Sequence, residues 1–415
     1  MKWFGKKAGR ESVRPFLMRG LSQGVAAYRD DGAPRSYEAQ VRDAYLGNPV
    51  AQRAVKLVAE GLAGATVYDA GHDAAGARAS TTPSTRDGPP PLQTQGRILA
   101  ASLVSSALLE TITVHLLLHG NAFVQVLQDG PGRAAELFAL RPERVSVEAD
   151  AGGWPVAYRY RVGEARSRIA AVDPLGRPGL VHLKAMHPLD DHYGLGCLGA
   201  AAAAVAVHNQ ATRWNKALLD NAARPSGALV YDPGEAGAAL SPDQFERLRA
   251  EMEASFSGAG NARRPLLLEG GLRWQAMSLT PADMDFVGLK AAAAREIALA
   301  FGVPSMLLGL PGDAAYANYR EANKALWRLT ILPMAEKILG GLSGALASWW
   351  PGCRLAVDVD QVTALSEDRE RLWGAVSGAD FLSVEEKREM LGFGKEEVPL
   401  PDASRRPSPA SGEGL

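Results

Sequence analysis

The chain has 415 residues, 47% hydrophobic and 22% charged, with a formal net charge of −1. This is a globular composition with room for two or three domains, and the low net charge excludes a chain-wide basic field that would hold nucleic acid tightly. The two cysteines, Cys197 and Cys353, lie far apart and form no CxxC pair, which argues against a disulfide framework and a cysteine zinc site. The basic start of the chain has no continuous apolar run, so we expect no signal peptide.

The first 195 residues predict an α+β domain. Asn48 followed by Pro49 is a typical helix start, and the apolar stretch 98–118 predicts a buried helix. Alternating apolar and polar residues then follow in several short runs separated by glycine and proline turns. That pattern predicts an antiparallel meander.

Two alanine-rich helices are predicted next, with a small module between them. The first spans 196–222, and the second opens at Thr280 and Pro281. The module contains a strand, a helix that begins with Ser241 as cap and Gln244 reaching back, and a strand pair around 270–271. Small side chains permit close helix approach, so both helices are suited to packing against a neighbour.

An apolar loop rich in glycine and proline follows the second helix, between Gly302 and the charged run that starts at Arg320. A helix is predicted from 318 towards Trp350, with a kink at Pro333. A strand carrying Asp358 and Asp360 on one face comes next, followed by a short helix capped by Ser383. A paired carboxylate that binds Mg²⁺ and a solvated strand end both explain the two aspartates.

No phosphate-binding GxxxxGK[ST], HExxH or GxSxG motif occurs, so the chain carries no local signature of an enzyme. A cluster of His182, His187, Asp190 and His192 is the exception. A metal-dependent hydrolase could use these side chains as ligands, and a polar loop leaving a strand explains them equally. His115 and His119 have helical i, i+4 spacing but no acidic base between them.

Several separated segments together resemble one protein family. They are NAARPSGAL, FSGAGNARRPLLLEGGLRWQAMSLTPADMDF, REIALAFGVPSMLLG and ANYREANKALWRLTILPMAEKI, with LLLHGNAFVQV and HPLDDHYGLGCLGAA before them. Their order is similar to that in the portal proteins of long-tailed bacteriophages and of phage-like gene transfer agents. The resemblance extends from about Tyr37 to Gly392.

The resemblance implies the portal fold, which has a wing, a two-helix stem, a clip and a short helical crown. Transferred to this sequence, the expected regions are a wing at 1–195, the first stem helix at 196–222, a clip at 223–280, the second stem helix at 281–303, a tunnel loop at 304–317, a kinked helix and wing return at 318–365, a crown at 366–400 and a disordered tail at 401–415.

The same resemblance implies site residues, none of them catalytic or metal-binding. Tunnel-loop residues that would line a DNA channel are Met306, Leu307, Leu308, Leu310, Asp313 and Tyr316. Ala203 and Ala293 would pack the stem, and Arg247, Arg249, Arg263 and Arg264 would form a docking surface on the clip.

A portal would be a non-enzymatic ring, a dodecamer of this chain, at one capsid vertex and without a cofactor. Its expected partners are double-stranded DNA in the channel, the terminase, the head–tail adaptor and the major capsid protein, with no membrane. The location would be a virion or phage-like particle assembled in the bacterial cytoplasm. A portal loop without Lys or Arg at its tip would let DNA slide, because each neutralised phosphate adds affinity.

Overall fold

A computed structural model of the protein describes residues 16–18, 36–70, 101–130, 132–220, 227–231, 241–256, 272–276, 286–310 and 316–391. The described residues divide into two compact units. One lies within Met1–Gly64 and Ser105–Ile338, and the other within Ala65–Val104 and Leu339–Leu415.

The described chain contains both helices and strands. The α-helices are α1 Tyr37–Val41, α2 Pro49–Ala63, α3 Ser106–His119, α4 Leu198–Asp220, α5 Pro242–Phe256, α6 Phe286–Ala300, α7 Tyr316–Leu326, α8 Leu332–Leu346, α9 Ser366–Ser377 and α10 Val384–Met390. The strands are β1 Val67–Asp69, β2 Asn121–Gln128, β3 Ala134–Leu140, β4 Val145–Ala149, β5 Pro155–Val162, β6 Ala165–Ala170, β7 Leu180–Lys184, β8 Gly227–Tyr231, β9 Leu272–Ala276 and β10 Leu355–Val357.

The helix starts predicted at Asn48, Ser241 and Ser383 are confirmed. The side chain of Asn48 accepts hydrogen bonds from the first-turn backbone of α2. Ser241 and Gln244 exchange two hydrogen bonds at the start of α5, and Ser383 and Glu386 do the same at α10. Each cap satisfies backbone N–H groups that the helix itself cannot pair.

All the strand pairs are antiparallel, but the sheets are not one meander. In the first unit, β4, β5 and β6 follow each other as neighbours, whereas β7 returns to pair with β2 on the side opposite β3. Phe123, Leu140 and Leu180 of the β3–β2–β7 sheet pack with Val145 and Tyr158 of the β4–β5–β6 sheet in one buried cluster. The meander expectation failed because alternation predicts strands but carries no information about which strand pairs with which.

Two further local predictions were wrong. The buried helix begins at Ser106, with Ser105 as its cap, because the chain is not helical at 103–105. Asp358 does not lie on a strand, since it caps a short 3-10 helix, and Asp360 pairs with Arg369 at 3.0 Å. In the second unit, the short strands β1 and β10 pair antiparallel with each other.

The long helix near Pro333 is interrupted in a different way from a simple proline kink. Between α7 and α8 the chain takes π-helical turns over Trp327–Ile331, immediately before Pro333. Proline has no N–H and its ring crowds the carbonyl four residues earlier, so the regular ladder cannot continue there. By length and composition, the helical stretch Asn318–Leu346 is apolar enough to cross a bilayer, but Leu326, Ile331, Ile338 and Leu342 on it are buried within the protein.

Candidate functional site

The two alanine-rich helices α4 and α6 pack directly against each other within one chain. The indole of Trp214 stacks on the ring of Phe286, with centroids 4.4 Å apart. Trp214 lies late in α4 and Phe286 begins α6, so the helices run antiparallel. Most of the buried residues on the two helices are small: Ala201, Ala204, Val205 and Ala211 are buried on α4, and Ala293, Ala294, Ile297 and Ala298 on α6.

The two alanines predicted to pack subunits together have different environments. Ala203 is exposed on α4. Ala293 is only 4% exposed, because α4 and the rest of its own chain already cover it. Ala203 is therefore available to a neighbouring subunit, whereas Ala293 contributes to the fold of its own chain.

Large apolar side chains remain exposed on the same helix pair. Val287 and Leu299 of α6 are 78% and 79% exposed, and Val207 of α4 is also exposed. Large exposed apolar side chains on these two helices are favourable to cover.

The loop after α6 is anchored at its start. Gly302 has a left-handed backbone conformation with φ of 66°, and its carbonyl accepts a 2.6 Å hydrogen bond from the hydroxyl of Thr330. Phe301 and Val303 on either side are buried. Only glycine adopts this conformation without strain, so the sequence forces the chain to turn here.

The predicted channel residues are only partly described. A 3-10 turn covers Ser305–Leu308 and packs against α2, α6 and α7, which leaves Met306, Leu307, Leu308 and Leu310 half-buried. Asp313 lies outside the described residues, and Tyr316 is the first residue of α7. Within one chain, therefore, this part of the loop lies against helices.

The small module between the helices is described in part. Strands β8 and β9 pair with each other, from Gly227 opposite Ala276 to Tyr231 opposite Leu272. The predicted partner of β9 across residues 270–271 lies outside the described residues, so that strand pair stays a prediction. Arg247 and Arg249 are exposed on α5, where Arg249 lies 3.7 Å from Glu246. Arg263, Arg264 and the predicted Thr280 cap lie outside the described residues.

The histidine cluster has structural partners. His182 lies 3.0 Å from the Oδ1 atom of Asn121 and stacks on Phe123. His192 lies 2.6 Å from the carbonyl of Gly153, while an Asp190 oxygen accepts from two backbone N–H groups. The ring of His187 accepts from the N–H of Leu189.

Burial also makes these imidazoles poor bases. The pKa of His182 is lowered to about 3, and those of His115 and His119 to about 4, in each case chiefly because burial disfavours the charged ring. Among the residues that the structure describes, no group of three or more His, Cys, Asp or Glu side chains is placed to hold a metal ion. The described geometry gives the hydrolase interpretation no support.

One feature of the fold was missed from the sequence. Four arginines, Arg159, Arg161, Arg166 and Arg168, lie on one face of the β4–β5–β6 sheet. The signal was present in the strings RYRV and ARSR, where arginines alternate at the spacing that places side chains on one face of a strand.

Comparisons with known proteins agree with this architecture. The sequence model of the phage portal protein family matches residues 49–392. A protein of Rickettsia felis is 45% identical over 280 residues, which are 67% of this chain and 71% of that protein. A chain in the neck of a native gene transfer agent particle, computed with C12 symmetry, is 42% identical with a TM-score of 0.64, and the match covers 90% of this chain and 99% of that chain.

A more distant structure establishes the fold class. An HK97-family phage portal protein from Corynebacterium diphtheriae is 16% identical, with a TM-score of 0.53, over 81% of this chain and 98% of that chain. The mixed α and β architecture is thus that of a phage portal subunit. The family match covers most of the sequence, and this chain belongs to the phage portal protein family.

Proposed function

We propose that the protein forms a twelve-membered ring at one vertex of a virion or phage-like particle, and that double-stranded DNA passes through its channel during packaging and ejection. The observation that carries this proposal is the likeness to the neck chain of a gene transfer agent particle, which spans almost the whole of that chain. The regions wing, stem, clip and crown, with the boundaries given above, belong to the same proposal.

The exposed apolar surface of the helix pair supports ring formation. Val287 and Leu299 would each lose contact with water if a neighbouring subunit covered α6. Burying such a side chain fully contributes about 1.5 to 3 kcal/mol, so even a few per subunit stabilise a repeated interface. Ala203 is the small residue on α4 that would permit close approach.

The loop that begins at Pro304 is assigned to the channel. Its apolar residues Met306, Leu307, Leu308 and Leu310 carry no positive charge, so they would contact DNA by shape and let it slide. Asp313 and Tyr316 complete the proposed channel surface. Since part of this loop packs against its own helices, the remaining residues up to 317 would supply the projecting tip.

Each docking partner is proposed to contact a particular surface of the protein. The clip arginines Arg247, Arg249, Arg263 and Arg264 would contact the terminase first and the head–tail adaptor later, and the wing would contact the major capsid protein. The protein acts as a structural component in this proposal, without a cofactor and without catalysis of its own.

Electron microscopy of the purified protein tests the ring directly. Class averages and native mass spectrometry should give a closed assembly of twelve subunits. The same preparation, assayed with ATP and with duplex DNA in the presence and absence of Mg²⁺, should release no phosphate and cut no DNA. A stable monomer, or turnover that follows the protein through purification, would contradict the proposal.

A further inference from the structure

One face of the β4–β5–β6 sheet carries an array of guanidinium groups. The strand register places Arg159 opposite Arg168 and Arg161 opposite Arg166. Residues two apart on a strand share a face, so the four side chains form a two-by-two array, which we call the arginine face. Tyr158, the residue before Arg159 on β5, lies on the opposite face of the sheet and belongs to the buried core cluster.

The charge of this array is only partly neutralised. Glu148 accepts hydrogen bonds from Arg159 at 2.8 Å and Arg168 at 3.0 Å, and both arginines hold the pKa of its carboxyl below the usual range. Within the described part of the chain, Arg161 and Arg166 form no ion pair with an acidic side chain. Glu148 therefore pairs with two of the four guanidinium groups.

This arrangement costs the sheet stability. Like charges directly opposite each other on neighbouring strands are destabilising, and the register creates two such pairs side by side. Arg161 and Arg166 are exposed. An anionic ligand that bound across the array would offset the repulsion.

The surface over the array is shaped as an open groove of about 810 Å³. Its lining includes Arg144 beside the four arginines, the small residues Ser146, Gly163 and Ser167, and Glu143 as its acidic residue. Tyr160 borders the groove but packs against the core cluster. The groove thus lacks the exposed aromatic anchors that dominate protein–protein contacts.

We propose that the arginine face binds the phosphate backbone of double-stranded DNA, as a contact additional to the channel. Guanidinium groups bind phosphate oxygens in a bidentate fashion, and successive groups on one strand lie about 6.8 Å apart, which suits a polymer with regularly repeated anions. The identification of DNA as that polymer rests on the proposed function, whereas the anion site rests on the arginines themselves.

The test uses the assembled full-length protein and a small, closed circular duplex labelled with a fluorophore. A closed circle has no end to thread through a ring, so its binding reports on surfaces other than the channel. The variant Arg161→Gln with Arg166→Gln removes two guanidinium groups. The control Arg133→Gln with Arg371→Gln removes the same charge from exposed positions away from this sheet.

We expect the Arg161/Arg166 variant to bind the circle about tenfold more weakly at low salt, with the slope of log affinity against log salt reduced by about 2. The control pair should change affinity less than twofold, and Glu148→Gln should tighten binding about threefold, because it frees Arg159 and Arg168. The melting temperature of the double variant should be unchanged or higher, since a repulsive pair is removed.

Equal binding by wild type and the double variant would overturn the proposal, and so would an equal loss in the control pair. A labelled polyglutamate peptide distinguishes the other class of partner. If wild type binds that peptide through Arg161 and Arg166 but does not bind the circle, the face docks an acidic protein segment and the DNA proposal fails. Ring formation is checked for every variant. A loss of DNA binding by rings that assemble normally is then distinguished from a failure of the ring proposal.

Discussion

At the scale of single residues, the side-chain amide of Asn121 links several segments of the first unit by hydrogen bonds. The side chain of Asn121 accepts from the N–H of Gly194 at 2.7 Å, donates to the carbonyl of the same residue at 3.1 Å, and contacts the rings of His119 and His182. It thereby ties the start of β2 to the segment that leads into α4. His182, one of the histidines that the sequence offered as a metal ligand, is part of this hydrogen-bonded centre.

The buried histidines predict an acid-sensitive fold. The pKa of His182 is about 3 in the folded protein and about 6.5 in the unfolded chain. Between these values the unfolded state binds more protons, so stability is highest above about pH 6.5 and falls as the pH is lowered. Denaturation midpoints measured from about pH 7.5 down to about pH 4.5 should show this decline, and His182→Gln should flatten it.

The comparison at about pH 7.5 serves as the control for that variant. There the imidazole is neutral, so any difference in stability reports the lost stacking and hydrogen bond and not the proton. A decline in the His182→Gln protein as steep as that of wild type would show that other groups cause the acid sensitivity.

At the scale of elements, sequence reasoning was accurate where the determinant is local. Asn48, Ser241 and Ser383 each cap a helix as predicted, because a cap depends on a few adjacent residues. The two alanine-rich helices were likewise predicted within a few residues of their described bounds, apart from the start of α6, since 277–285 lie outside the described residues.

The failures are non-local. The return of β7 to β2 depends on contacts between segments separated by dozens of residues. The arginine face also requires knowledge of register, because it is the pairing of β5 with β6 that brings the charges together. The burial of Ala293 was missed for a related reason: alanine alone does not reveal whether a helix face meets its own chain or another.

The helix pair predicts opposite outcomes at two alanines. Ala203→Glu should leave the subunit folded but prevent ring formation, since an exposed small residue becomes large and charged at a subunit contact. Ala293→Glu should instead prevent folding, because it buries a charge where the side chain is 4% exposed. Circular dichroism and sizing chromatography distinguish a folded monomer from an unfolded chain.

Ala203→Ser is the matched control, because it keeps the site small. It should form rings as wild type does. Rings formed by the Ala203→Glu protein would show that this part of α4 faces solvent in the assembly, and would contradict its place in the stem.

At the scale of the whole molecule, the two proposals give one chain two different relations to DNA. A channel that conducts DNA should grip it weakly, and the loop after Gly302 has apolar side chains and no positive charge as far as Tyr319. The arginine face has the opposite character, with guanidinium groups in a groove. The low net charge of the chain does not reveal this difference between the two surfaces. Basic and acidic residues balance in number but differ in position.

The loop gives the last prediction, which concerns DNA passage through the ring. Leu308→Lys with Leu310→Lys would add phosphate contacts, so packaging should slow, and the slowing should weaken as salt rises. Leu308→Gln with Leu310→Gln is the control, since it adds polarity without charge and should show no such salt dependence. The rate of DNA packaging into particles, measured over a salt series, decides between them. Because both leucines are half-buried within one chain, rings of each variant must first be shown to assemble. A rate for the lysine variant that equals wild type at low salt would mean that these side chains do not face the DNA, and the loop would then belong to the packing of α2, α6 and α7 alone.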